Sequence, residues 1–162
     1  MAKQSMNTKS STHKTVRVFR YDPGEGGDGG FDTFKVDIQD QYRTTVLDVL
    51  LRIQREKDPS LAFRYACRVS MCGSCGMVIN GRERLACKTT VASLTEQELT
   101  IRPLNHFPVI KDLVVDMEPF FKRYEEAMPF FDPVQEQQEP AIIKPNSKER
   151  LAIGRVATEC IA

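Results

Sequence analysis

The chain has 162 residues, 41% of them hydrophobic, and a net charge of only +1. That balance carries no basic excess of the kind nucleic-acid binding needs. Nor does any apolar run approach the roughly 18 residues that would cross a bilayer. Nine glycines and nine prolines imply many turns around a core of modest size.

Residues 1–14 are rich in Lys, Ser and Thr, lack an apolar segment and contain no arginine. They are expected to form a disordered tail rather than a signal or transit peptide. Thr15 to Tyr21 then alternates apolar and polar residues, the period of a half-buried strand. Asp22 to Gly30 follows with five glycines and Pro23. It lacks the Lys-Ser/Thr ending of a phosphate-binding loop, so it reads as a hairpin connection. Phe31 to Ile38 alternates again and should pair antiparallel with the first strand. Thr44 or Thr45 can cap a helix whose residues Val46, Leu47, Leu50, Leu51 and Ile53 share one side. Asp48 falls in its first turn and Arg52, Arg55 and Lys57 towards its end, as the helix dipole favours, and Asp58-Pro59 stops it.

The next segment carries the chemistry. Cys67-x4-Cys72-x2-Cys75-x11-Cys87 places four cysteines within 21 residues, three in one short loop and one beyond it. This is the spacing of a plant-type [2Fe–2S] site. Gly73, Ser74 and Gly76 would let the backbone turn sharply and bring N–H donors to sulfur. Structural zinc is the competing reading, although it more often uses two close cysteine pairs separated by a longer gap. Disulfides fit less well, because the chain has five cysteines and no mark of secretion. Residues 61–90 hold five basic side chains and one acidic one, Glu83, and Arg68 sits between two of the cysteines. Positive charge near a cluster favours its reduced form, so Arg68 is a candidate for tuning. The expected reduction potential lies above that of ordinary ferredoxins.

Gly76–Ile79 and Arg82–Leu85 flank Asn80-Gly81, the pair suited to a type I′ hairpin turn. Leu99–Arg102 is a last short strand, closed by Pro103. These elements describe an α+β, ferredoxin-like β-grasp domain over residues 15–104. Residues 105–131 read as an arm, with a helix capped by Asp116 and an aromatic stripe of Phe120, Phe121 and Tyr124 expected to pack into a core. Residues 91–140 hold ten acidic and four basic side chains. Asp132 to Pro145 reads as extended linker, so that the arm and linker together cover 105–146. A further helix is signalled over 147–162. His13 lies in the tail, and His106 reads as a surface or capping residue. No set of side chains suggests a catalytic site.

The chain resembles the iron–sulfur subunit of succinate dehydrogenase and quinol:fumarate reductase, in its N-terminal portion. The resemblance covers nearly all of residues 15–162. It rests on Cys67-Arg68 through Cys72-Gly73-Ser74-Cys75-Gly76, on Ile79-Asn80-Gly81, on Leu85-Ala86-Cys87 and on Ile101 to Leu104. The run Val109 to Met117 and then Glu159-Cys160-Ile161 extend it. The resemblance implies that Cys67, Cys72, Cys75 and Cys87 ligate a [2Fe–2S] cluster. It implies a flavoprotein partner subunit with bound FAD, membrane-anchor subunits and a quinone, reached through a second, all-α ferredoxin domain. The protein would then lie peripherally on the cytoplasmic side of a membrane. Cys160 matches the first cysteine of that second domain, which in the family binds [4Fe–4S] and [3Fe–4S] clusters. Alone it could not hold a four-iron cluster, and the expectation is that the second domain is missing. A freestanding [2Fe–2S] ferredoxin and a zinc-stabilised interaction domain are the alternative functions.

Overall fold

The computed structural model describes residues 12–128, which fall into two units divided after Asp116. In the first unit the strands β1 (Thr12–Arg20), β2 (Gly30–Ile38), β3 (Gly76–Ile79), β4 (Arg82–Leu85) and β5 (Glu98–Arg102) form one sheet. Their order is β2-β1-β5-β3-β4. Only β1 and β5 run parallel; the other pairs are antiparallel. Helix α1 (Val46–Glu56) crosses between β2 and β3 in sequence and shares the sheet's core.

Alternation decides which face is buried. Lys14, Val16 and Val18 of β1 and Val36 and Ile38 of β2 are buried, as are Leu99 and Ile101 of β5. α1 adds Val46, Leu47, Val49, Leu50, Leu51 and Ile53. Burial of each such side chain is worth about 1.5–3 kcal/mol. The helix starts with a complete capping box. Thr45 Oγ1 accepts from the Asp48 N–H, and the Asp48 carboxylate accepts from the Thr45 N–H.

Several boundaries differ from the sequence expectation. β1 begins at Thr12, so Thr12, His13 and Lys14 belong to a strand and not to a tail. Lys14 is buried on the apolar side of β1, and its ammonium donates one hydrogen bond to the Glu96 carbonyl at 2.7 Å. The glycine-rich connection holds one position that only glycine fits. At Gly29 (φ 77°) a Cβ would sit 2.6 Å from the Phe19 ring and 2.7 Å from the Arg20 carbonyl oxygen. Asn80 and Gly81 both take positive φ, as a type I′ turn requires.

The larger correction concerns residues 105–116, read from sequence as the start of an arm. They fold with the first unit. β6 (Val109–Lys111) and β7 (Val114–Val115) make a small hairpin whose Leu113 and Val115 are buried. At its tip, Asp112 is 1% exposed. Its Oδ1 accepts from Arg20 Nε and from the Tyr21 N–H, both at 3.0 Å, and its Oδ2 accepts from the Ala62 N–H at 2.8 Å. The hairpin is thus fastened by a buried carboxylate that reaches two distant segments.

The second unit's described residues form helix α2 (Glu118–Glu126). Its cap is Met117, not Asp116, and it makes no side-chain cap bond; Pro119 lies in the first turn, where its missing N–H costs nothing. The aromatic stripe is not core. Phe120 stacks on Tyr124 and meets Phe121 edge-on, and no residue of α2 is buried. The linker at 132–145, the helix expected from 147 and Cys160 lie outside the described residues.

Arg20 also pairs with Asp58, whose carboxylate accepts from the Ser60 hydroxyl at 2.6 Å. The Ser60 hydroxyl and then Arg20 pull the Asp58 carboxyl down to about 2. A depressed carboxyl stabilises the fold above its unfolded value of about 3.9 and loses that contribution as the pH falls through its folded value. Asp58→Asn should therefore cost about 1 kcal/mol near neutrality, after allowance for solvent screening. The gap from wild type should close as urea denaturation is repeated from about pH 6 down to about pH 2. A gap that stays constant with pH would assign the effect to something other than this ionisation.

Candidate metal centre

Three chain segments converge here: the loop 66–75, the start of β3, and the turn that leaves β4. All four described cysteines are unbridged. Cys75 is buried, Cys67 and Cys87 half-buried, and Cys72 exposed.

The loop that carries the first three departs from ordinary backbone. Arg68 (φ 59°), Ser70 (φ 65°) and Gly73 (φ 71°) all take left-handed conformations. For the two non-glycine residues this costs roughly 1–2 kcal/mol each. The conformation turns N–H groups inward. The Val69, Met71 and Cys72 N–H groups all donate to Cys67 Sγ, at 3.4, 3.3 and 3.3 Å, and the Cys67 N–H donates to Cys72 Sγ at 3.5 Å. The Cys87 N–H donates to Cys75 Sγ at 3.5 Å. The thiol of Cys72 also meets that of Cys67, and the thiol of Cys75 that of Cys87, so the thiols gather as two pairs. The Ser70 hydroxyl lies 3.9 Å from Cys87 Sγ.

The glycines and serine singled out from the sequence take different parts. Gly73 supplies the left-handed turn, and nothing lies within 4 Å of where a Cβ would stand, so its requirement is conformational rather than steric. Its carbonyl accepts from the Gly76 N–H at 2.9 Å, so that N–H closes the turn into β3. The Ser74 hydroxyl is the largest influence on Cys72, with the Cys67 and Ser74 N–H groups behind it, and together they bring that thiol down to about 6. Burial does the reverse at Cys75 and pushes its thiol up to about 11. Sequence reasoning missed Ser70 and the donors Val69 and Met71. Only the shortness of the Cys-x4-Cys spacing, which forces the loop to curl around the first sulfur, could have pointed to them.

Helix α1 supports the other side. Its first turn leaves N–H groups without partners inside the helix. Leu47 N–H donates to the Ala86 carbonyl at 3.1 Å and Val46 N–H to that of Thr89 at 2.9 Å, so the helix start holds the residues on both sides of Cys87. Arg68 pairs with Asp48 at 3.0 Å. Burial opposes ionisation of Asp48, but its bonds from Thr45 and the charge of Arg68 outweigh that and hold its carboxyl below the usual range. The Arg68 charge is thus partly neutralised by Asp48, which weakens it as a tuning group.

This donor set fits a two-metal group better than one ion. A tetrahedral zinc would draw all four sulfurs to about 2.3 Å from one centre. Two sulfur pairs, each receiving backbone N–H donors, suit a cluster whose two irons take two thiolates each.

Residues 15–122 match the family described as 2Fe-2S iron-sulfur cluster binding domain. The chain is 41% identical over 149 residues to the mitochondrial succinate dehydrogenase [ubiquinone] iron-sulfur subunit 1 of Oryza sativa subsp. japonica. That match takes in 91% of this chain and 52% of the relative, so the chain spans about half the relative's length. It is also similar to a chain of the Mycobacterium smegmatis Sdh1 complex in the apo form, with a TM-score of 0.73 and 31% identity. Here 94% of this chain and 61% of the other are covered.

The opposite settings of Cys72 and Cys75 give a direct test. In metal-free protein at about pH 7, iodoacetamide should modify exposed Cys72 more than about a hundred times faster than buried Cys75, read by peptide mass spectrometry. Both should be protected once the iron–sulfur group is reconstituted. Equal rates in the metal-free protein would contradict the geometry.

Proposed function

Because the chain belongs to the family of 2Fe-2S iron-sulfur cluster binding domains, we propose that it is the electron-transferring iron–sulfur subunit of a succinate:quinone oxidoreductase, a succinate dehydrogenase or fumarate reductase. The observation that carries the reading is the pair of sulfur pairs with backbone N–H groups aimed at them. The likeness to the succinate dehydrogenase iron-sulfur subunit supplies the biological setting. Cys67, Cys72, Cys75 and Cys87 are the four ligands. Bound there, the cluster supplies one-electron transfer.

The chain's own residues do the rest. The N–H groups of Val69, Met71 and Cys72 stabilise negative charge on Cys67 sulfur, which eases reduction. Buried Cys75 and its neighbours Met77 and Ala86 keep water from the inner side. Exposed Val69 and Met71 mark the outer side of the loop, where an electron can enter or leave through a thin layer of protein. No residue here handles succinate or fumarate; that chemistry belongs to an FAD-containing flavoprotein partner. Membrane-anchor subunits and a quinone complete the relay, reached through a second domain for whose clusters Cys160 is a ligand candidate. Among the described residues no helix is long and apolar enough to cross a membrane. Attachment on the cytoplasmic side through partner subunits follows from this reading.

Affinity purification of the tagged chain from its own membranes should bring down a flavin-containing subunit. Succinate should then reduce the cluster and develop its electron paramagnetic resonance signal. A chain that purifies without flavoprotein and takes electrons only from soluble reductases would replace this reading with that of a freestanding ferredoxin.

A further inference from the structure

Three hydrogen bonds join the β6–β7 hairpin to one stretch, Ala62 to Arg64, that leads directly into the loop. The Asp112 carboxylate accepts from the Ala62 N–H at 2.8 Å. The Leu113 N–H donates to the Ala62 carbonyl at 3.2 Å. Arg64 Nη1 donates to the Val115 carbonyl at 2.9 Å. Leu113 is buried in the same core as Leu61, with Phe63 packed against it. Three residues after Arg64 comes Cys67, the sulfur that receives three N–H donors. The approach to that sulfur is therefore clamped from outside the loop, by a hairpin more than 40 residues later in sequence.

We propose that the β6–β7 hairpin is the clamp that sets the position of Cys67, and that Asp112 is its positioning residue. The inference rests on the cluster reading above. Asp112 suits the task for three reasons. It adopts a left-handed φ of 48°, which Asp and Asn tolerate better than other non-glycine residues. It is 1% exposed, so its bonds do not compete with water. Its two oxygens are divided: Oδ1 serves Arg20 and Tyr21, which tie the hairpin to β1, while Oδ2 serves Ala62, on the approach to the loop. Lys111 adds a second fastening to the β1 side through Asp22 at 2.7 Å.

That division makes Asp112→Asn selective. An asparagine has one acceptor oxygen, and two donors, one of them cationic, compete for it on the Arg20 side. Its amide then faces the Ala62 N–H, donor against donor, and the carboxylate's tie to Ala62 is lost while the hairpin stays attached to β1. Groups bonded directly to metal ligands are commonly worth about 10- to 100-fold in metal affinity, and a clamp one step further back is expected at the low end of that range.

The test compares cluster-loaded wild type with Asp112→Asn, Arg64→Met and Val16→Ala. Arg64→Met cuts the contact to Val115 without burying an unpaired charge, and carries the test should Asp112→Asn fail to fold. Val16→Ala removes core packing in β1 and alters none of the hydrogen bonds described for the hairpin or the loop. Expected are broadened resonance lines from the reduced cluster and about tenfold faster bleaching of its visible absorption under chelator in the two clamp variants. Amide exchange at Ala62 should quicken in Asp112→Asn. Val16→Ala should lose stability yet keep the wild-type line shape. Clamp variants with unchanged line shape and bleaching, or a Val16→Ala that reproduces their behaviour, would overturn the clamp. A wild-type protein without any iron–sulfur signal would instead overturn the cluster reading on which it rests.

Discussion

In the proposed centre four sulfur atoms that repel one another once ionised have to be held close together, and the loop, the helix start and the hairpin are the elements placed to hold them. Left-handed backbone at Arg68, Ser70 and Gly73 curls the loop so that amide hydrogens, rather than carbonyl oxygens, meet the sulfurs. The strain at Arg68 and Ser70 is of the kind that persists only where surrounding structure over-determines it, which is common at functional sites. Here the compensation is visible. Three N–H groups converge on Cys67, and Arg68 itself is anchored to Asp48.

The scaffold meets the loop from two sides. One is the start of α1, where N–H groups that a helix cannot satisfy internally reach the carbonyls of Ala86 and Thr89 around Cys87. Asp48 serves this side twice, closing the capping box and pairing with Arg68. The other side is the β6–β7 hairpin. The contrast between Cys72 and Cys75 follows from the same arrangement, since one sulfur faces solvent with the Ser74 hydroxyl beside it and the other lies within the core. The basic residues near the loop also take on structural duties. Arg64 is bonded to the Val115 carbonyl and keeps its charge, whereas Arg68 is paired with Asp48, so the positive field is weaker at Arg68 than a count of arginines implies.

What the sequence reveals is local, and what it hides is long-range. Thr45 as a cap, Asn80-Gly81 as a hairpin turn and the alternation of β2 are each written in a few adjacent residues, and the cysteine spacing is equally compact. The hairpin at 109–115 is not visible in that way. Its strands are three and two residues long, too short to show a period, and Asp112 finds its partners 92 and 50 positions away. The left-handed turns at Arg68 and Ser70 are hidden because neither residue type prefers that conformation. Lys14 misleads for a related reason: a lysine reads as surface, yet its stem is buried along the apolar face while its ammonium reaches the Glu96 carbonyl. The stripe on α2 shows the opposite error, in which apolar spacing implies burial that the helix does not have.

The central claim is that the two sulfur pairs hold a two-iron cluster. Metal and sulfide analysis of anaerobically purified protein, combined with resonance spectroscopy after dithionite reduction, tests it most directly. The account predicts about two irons and about two acid-labile sulfides per chain, with a single-electron signal that appears on reduction. A folded, colourless chain that holds about one zinc, releases no sulfide and stays silent on reduction would contradict it.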